Sequence, residues 1–336
     1  MIHAPGWWRT RGLPAVLLAP LALLFGLLAW LRRSLYRVQV LRSVRPPLPV
    51  IVVGNVAVGG SGKTPVVDWL ASTFRAAGRH PGIVSRGHGG RIDTVAAVPP
   101  AGDPARFGDE PVLLARLTGC PVVVGRDRPA AIRELLRLHP ECDLVIADDG
   151  MQHYRLQRDV EVAVVDEAVL GNRWLLPAGP LREPLSRLDE VDVLIAHGPL
   201  SARLRAVLGA QVIVPMRLEG ALLRSLPDPL HMVALASLAG RRVHAVAGIG
   251  RPQRFFDQLA ASGLQVVPHA FPDHHRYSAA DLAFGDRDPI VMTSKDAVKC
   301  RSFAPEQSWE FPVRAVIAAD AAERILEKLK NGPQTA

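Results

Sequence analysis

Residues 49–78, PVIVVGNVAVGGSGKTPVVDWLASTFRAAG, constrain this chain more than any other segment. A continuous apolar run at 47–55 reads as a strand of a parallel sheet covered on both faces. The glycine-rich turn AVGGSGKT (57–64) follows, and from Thr64 the apolar residues recur at helical spacing up to a Gly. Strand, glycine-rich turn, Lys-Thr and helix is the context of a phosphate-binding loop. Such a loop wraps phosphates with backbone N–H groups at a helix N-terminus. Gly59, Gly60, Ser61 and Gly62 supply the wrap. Lys63 is expected to reach the β/γ-phosphates and the Thr64 hydroxyl to bind Mg²⁺. One position departs from the full pattern: Ala57 stands where a Gly is expected.

A phosphate loop needs an acid for its metal. The apolar strand in CDLVIADDG (142–150) ends in Asp148-Asp149, and ligand-binding acids sit at the carboxyl ends of parallel strands. Both are metal candidates, although Asp-Asp-Gly is also good turn chemistry. Four further segments carry polar groups without a unique reading. SRGHGG (85–90) is either an anion loop or a turn. In GDEP (108–111), Asp109 and Glu110 open a helical pattern, as an N-terminal cap would. Arg182-Glu183 lies in a Pro/Gly-rich loop, as a surface pair or a nucleotide-side contact. Asp273, His274 and His275 follow a strand-like run, where a histidine pair is more often a satisfied loop feature than a catalyst.

Strand–helix alternation runs through the chain, which predicts an α/β fold with helices on both faces of a mostly parallel sheet. The expected architecture is a P-loop NTPase-like parallel sheet domain over 46–208 and a smaller C-terminal α/β domain over 231–336. Between them, 209–230 reads as a β-strand linker, and 1–45 is a basic apolar arm. In the arm, residues 13–31 hold no charge, a run of 19 residues bracketed by Trp7, Trp8 and Trp30. Crossing a bilayer takes roughly 20 apolar residues, and Pro14 and Pro20 weaken a straight span. A signal peptide and a buried core helix are weaker readings than a membrane anchor, spanning or interfacial.

The net charge of +8 is concentrated in this arm, where seven arginines stand with no Asp, Glu or Lys before residue 46. The other 291 residues carry only +1, which argues against a nucleic-acid groove across the body and for an anionic membrane surface as the arm's partner. Cys120, Cys142 and Cys300 lie far apart without C-x-x-C spacing, which fits a reducing cytosol better than a disulfide framework.

Taken together, VGNVAVGGSGKTP, SRGHGG, GDEP, IADDGMQH, LPAGPLREP, GIGRPQRFF, FPDHHRY and TSKDAVK resemble the tetraacyldisaccharide 4′-kinase family of lipid A biosynthesis. The resemblance implies ATP, Mg²⁺ and phosphorylation of the 4′-hydroxyl of an acylated glucosamine disaccharide 1-phosphate. It also implies attachment to the cytoplasmic face of the inner membrane. It assigns Lys63 and Thr64 to phosphate and metal, Asp148 and Asp149 to the metal, and Arg182 and Glu183 to the nucleotide side. Asp109 and His274 become a dyad that activates the sugar hydroxyl. His88 stands where an aromatic is expected and Ser294 where an acid is expected. The rival reading is a membrane-tethered P-loop ATPase switch with no small-molecule acceptor. The sequence leaves the oligomeric state open.

Overall fold

The computed structural model describes residues 5–209 and 212–331. The apolar arm forms two helices, α1 (Leu13–Leu17) and α2 (Ala19–Arg37). Pro14 and Pro20 each sit in the first turn of their helix, where the missing N–H is harmless. The uncharged run is therefore broken at Leu18 rather than kinked. Among the described residues, no helix is long and apolar enough to cross a membrane. Ala15 and Ala22 are the arm's buried apolar residues, while Leu17, Leu23, Leu27, Leu28 and Trp30 are exposed.

Among the described residues, the first sheet has nine strands. Its parallel centre is β1 (Val50–Gly54), β2 (Pro81–Ser85), β4 (Val122–Val124), β5 (Leu144–Asp148), β6 (Val160–Val165), β7 (Val193–His197) and β8 (Ile213–Glu219), with the short β3 (Ala96–Ala97) at one edge. With β15 (Arg314–Ile317) at the other edge, the order is β15-β8-β7-β6-β1-β5-β2-β4-β3. On its faces pack α3 (Lys63–Ala76), α4 (Pro104–Phe107), α5 (Asp109–Thr118) and α6 (Arg128–Leu138), and α7 (Ala202–Val207) follows β7. Helix α3 turns Val66, Val67, Leu70, Ala71 and Phe74 onto the sheet, the stripe that its apolar spacing predicts. Strands β1, β5 and β6 are buried throughout, which explains their unbroken apolar runs.

The second sheet takes β9 (Leu222–Ser225), β10 (Met232–Ala234), β11 (Arg242–Ala247), β12 (Gln265–Ala270), β13 (Ile290–Thr293) and β14 (Ser308–Phe311), in the order β10-β9-β14-β13-β11-β12. Helices α8 (Pro252–Ala261) and α9 (Ser294–Cys300) belong to this lobe.

The chain crosses between lobes twice. Residues 209–230, expected as a β-strand linker, divide: β8 joins the first sheet and β9 the second. On the return, β14 pairs antiparallel with β9, and β15 (Arg314–Ile317) pairs antiparallel with β8. The last helix, α10 (Ala319–Asn331), then buries Ala321 and Ile325 in the core of the first lobe. The end of the chain thus departs from the division that assigned 231–336 to one unit. Its amphipathic face is completed by the first sheet, a partner that periodicity does not specify.

Candidate active site

The site grows from the end of β1. The register Val53↔Asp148 sets the carboxyl end of β5 level with the start of the phosphate loop. The loop closes at Gly62, whose φ of 94° is left-handed, and α3 begins at Lys63. A side chain at 62 would also strike His197, 2.8 Å from the ideal Cβ position, so this position needs glycine. Asn55 Nδ2 donates to Ser61 Oγ at 3.0 Å, and Gln152 Nε2 donates to the Asn55 carbonyl at 2.9 Å. These bonds hold the loop from behind.

Gly59 to Thr64 line one cavity of about 960 Å³, together with Asp149, Arg182, His88, Glu110, Arg251, Arg254, Asp273, His274 and Lys295. The cavity lies between the lobes. Lys63 Nζ is 3.4 Å from Asp149 Oδ1. Arg182 Nη1 donates to both oxygens of Asp149 at 3.1 Å. Burial alone would raise the Asp149 pKa, but Lys63 and Arg182 prevail and hold it down at about 2. Asp148 is buried and accepts from Ser85 Oγ at 3.0 Å. Burial, with Glu110 and Asp149 nearby, pushes its carboxyl up to about 7. Adjacent acids of one motif therefore sit in opposite electrostatic environments.

The loop containing LPAGPLREP connects the arm to the phosphate loop. Trp7 and Trp8 donate through Nε1 to the Pro177 carbonyl at 3.3 and 3.0 Å. Val58 N donates to the Pro180 carbonyl at 2.9 Å, and Arg182 N to the Val56 carbonyl at 2.7 Å. Arg182 enters the cavity, whereas Glu183 is buried and accepts from Gln152 Nε2 at 3.0 Å and from the Tyr154 hydroxyl. Glu183 therefore stands in a buried network rather than among the lining residues.

Across the cavity, His274 Nδ1 lies 2.9 Å from Asp109 Oδ2 and 3.1 Å from Oδ1. Asp109 opens α5 of the first lobe, and His274 belongs to the second. His274 lines the cavity, and Asp109, only 4% exposed, stands behind it. His275 instead faces Asp281, with Nε2 3.5 Å from Oδ2. Two of the four described non-glycine residues with positive φ, Asp149 (46°) and His274 (60°), line this cavity, and such conformations concentrate at functional sites.

Lys295 is a central residue that sequence reasoning did not single out. Its Nζ lies 3.0 Å from Glu110 Oε1, 3.2 Å from Asp273 Oδ1, 3.4 Å from His274 Nε2 and 3.8 Å from Asp109 Oδ2. Burial opposes its charge, but Glu110, Asp109 and Asp273 hold its pKa above the ordinary value. TSKDAVK was legible as a family motif, yet only folding shows that its lysine meets three acids. His88 packs edge-on against His274, with centroids 5.6 Å apart. Ser294 Oγ is buried and has no hydrogen-bond partner.

Burial works against the Asp109 carboxylate, but the His274 hydrogen bond and Lys295 bring its pKa down to about 2. The same hydrogen bond raises the His274 imidazole, against a smaller effect of burial. A depressed acid stabilises above its ordinary 3.8 and loses that contribution as pH falls through about 2. A raised histidine stabilises fully below its ordinary 6.5 and loses that contribution as pH rises through the folded value. The difference in Tm between the wild type and His274→Gln should therefore be largest from about pH 4 to 6.5 and shrink above neutrality. A loss of about 1 kcal/mol corresponds to roughly 1–2 °C for a chain of this size. A gap that stays constant up to pH 9 would show that the pair is not ionically coupled.

These features define a two-lobed P-loop protein in which an acid of the first lobe pairs with a histidine of the second beside the cavity that holds the phosphate loop. A profile of the tetraacyldisaccharide-1-P 4′-kinase (LpxK) family matches residues 14–330, and the chain belongs to that family. It is 65% identical over 332 residues to the tetraacyldisaccharide 4′-kinase of Azoarcus sp. (strain BH72), covering 99% of this chain and 97% of the relative. It is 61% identical to that of Aromatoleum aromaticum, covering 99% of each. The crystal structure of LpxK from Aquifex aeolicus in complex with ATP superposes with a TM-score of 0.79 at 28% identity. That match covers 94% of this chain and all of the crystallised one.

Proposed function

We propose that this protein transfers the γ-phosphate of ATP to the 4′-hydroxyl of a tetraacylated glucosamine disaccharide 1-phosphate, a step of lipid A biosynthesis. The Asp109–His274 pair carries this reading. It joins the two lobes at 2.9 Å, and its His274 faces the same cavity as Lys63 and Thr64. A switch without an acceptor has no use for an acid–histidine pair opposite its phosphates. The phosphorus–oxygen bond to ADP breaks as the bond to the sugar oxygen forms, and the hydroxyl proton passes to the Asp109–His274 pair. Transition states of this kind are loose and remove that proton late, so a carboxylate with a low pKa suffices when it is well placed.

Lys63 and the amides of Gly59 to Gly62 hold the β- and γ-phosphates. Arg182 and the buried Glu183 beneath it set the nucleotide side of the cavity. Thr64 and Asp149 line the cavity, and Asp148 lies buried beside Asp149 at the end of β5; their hard oxygens would suit Mg²⁺, and Asp148, crowded by burial and by other acids, is the group that a dication would relieve most. Bound there, Mg²⁺ would supply positive charge to offset that of the phosphates.

An acceptor with several acyl chains stays in the bilayer, since each buried CH₂ contributes about 0.8 kcal/mol. The arm brings the enzyme to it. Exposed Leu23, Leu27 and Trp30 recur at helical spacing on α2, and Arg32, Arg33 and Arg37 follow. We assign this helix to the interface of the inner membrane, on its cytoplasmic face. Leu23→Gln with Leu27→Gln should weaken cosedimentation with anionic vesicles at least about tenfold. Turnover of acceptor presented in detergent micelles should be unchanged. Undiminished vesicle binding would overturn the assignment.

The test of the whole reading is phosphate transfer from γ-labelled ATP to the acylated disaccharide 1-phosphate in mild detergent. Label on the lipid supports it. ATP hydrolysis with unlabelled lipid would favour the tethered ATPase switch instead.

A further inference from the structure

The GIGRPQRFF segment (248–256) has no place in the scheme so far, yet it lies against the phosphate loop. A Cβ on Gly250 would lie 3.5 Å from Gly60 N. Helix α8 starts here, with Arg251 as its N-cap. Arg251 and Arg254, three residues apart and so on one helix face, both line the phosphate cavity. Both rest on one buried carboxylate. Asp166, which follows β6, accepts from Arg251 Nη1 at 3.1 and 3.2 Å and from Arg254 Nη1 at 3.0 Å. Arg254 Nη1 is also 2.8 Å from His197 Nε2, and His197 Nδ1 is 3.2 Å from the Ser61 carbonyl. Two hydrogen bonds therefore separate this arginine from the phosphate loop's own backbone.

We infer that Arg254, supported by Arg251, is a catalytic arginine supplied in cis, which contacts the transferring phosphoryl group and is parked on Asp166 and His197 before nucleotide binds. The inference rests on the kinase reading above. Two guanidinium groups share one carboxylate, so the cluster carries a surplus positive charge beside a site built for anions. In the transition state, negative charge spreads over the three equatorial oxygens of the phosphoryl group, and Lys63 alone does not surround them. A guanidinium fork matches two such oxygens. Burial, together with Arg254, lowers the pKa of His197, which keeps the imidazole neutral and able to accept from the arginine. Because both arginines come from the second lobe, this charge reaches the phosphates only when the lobes are together.

The competing role for the same contacts is a mechanical latch between the lobes. Arg254→Ala separates the two. As a catalytic arginine, its loss should lower kcat by about 10²-fold or more, with KM for ATP changed less than about threefold. The affinity for ADP with aluminium fluoride, a mimic of the phosphoryl group in flight, should fall to that for ADP alone. Arg254→Lys should recover only part of kcat, because an ammonium lacks the fork. Asp166→Asn, which removes the parking charge, should keep kcat within a few-fold of wild type. Three results would overturn the inference: a kcat of Arg254→Ala within threefold of wild type, unchanged aluminium fluoride affinity, or Asp166→Asn losing as much as Arg254→Ala. Should Arg254→Ala not fold, the aluminium fluoride affinity of Arg254→Lys decides, and wild-type affinity there would overturn it. Wild-type transfer to the lipid is the control. Its absence would sink the kinase reading, whereas transfer that survives Arg254→Ala would sink only the arginine.

Discussion

Lys63→Ala should lower kcat/KM for phosphate transfer by about 10³-fold or more, a loss of roughly 4 kcal/mol in transition-state stabilisation. The ammonium stands at the first position of α3 and is only 12% exposed. Its one ion pair among the described residues is with Asp149 at 3.4 Å. The fold should survive the change. Arg182 continues to neutralise Asp149, with both contacts at 3.1 Å, and Ala is the best helix former at a first-turn position. Tm should therefore move by no more than a few degrees. The assay is steady-state transfer of labelled phosphate, with circular dichroism melting alongside. A variant that folds and keeps a tenth of the activity would refute the role given to Lys63.

Asp109→Ala comes next in size. A positioned acid–base group contributes about 10²–10⁴-fold, so kcat should fall by that factor. The Kd for ATP should change less than about threefold, because Asp109 contacts the second lobe and not the phosphate loop. The environment explains why the loss should be deep. His274 loses the acceptor that orients it, and Lys295 loses one of three acids, leaving Glu110 at 3.0 Å and Asp273 at 3.2 Å. Asp109→Asn keeps the shape and should lose nearly as much, since an amide accepts no proton. The decisive comparison is kcat against ATP binding. A variant that loses ATP binding and keeps kcat would move Asp109 from the proton-transfer pair to the nucleotide site.

Much of the first lobe was legible in the sequence because its information is local. GGSGKT sets the backbone turn, the helix start and the lysine within a few residues, and each follows from glycine conformation and helix geometry. Asp148 and Asp149 were legible for a related reason: a parallel strand delivers its C-terminal residues to the sheet edge where the loop lies. The opposite environments of these two acids were not legible, because they depend on Lys63, Arg182, Ser85 and Glu110, which come from four different elements. The arm was recognisable as apolar and basic, but its break at Leu18 and its seat on the 171–184 loop were not. Glu183 shared a motif with Arg182, and only the direction of the chain there separates a lining residue from a buried one.

The sequence by itself thus determined the phosphate loop, the acids at the end of β5, the alternation of strands and helices, and the family. The tertiary structure alone decided which distant groups meet. Asp109 and His274 are 165 residues apart, Lys295 draws acids from both lobes, and Asp166 holds two arginines from beyond the crossover. These contacts depend on the antiparallel ribbon of β8, β9, β14 and β15, which sets one lobe against the other. Hydrophobic periodicity and turn chemistry specify which face of each element is buried, but not which remote side chain will be waiting there.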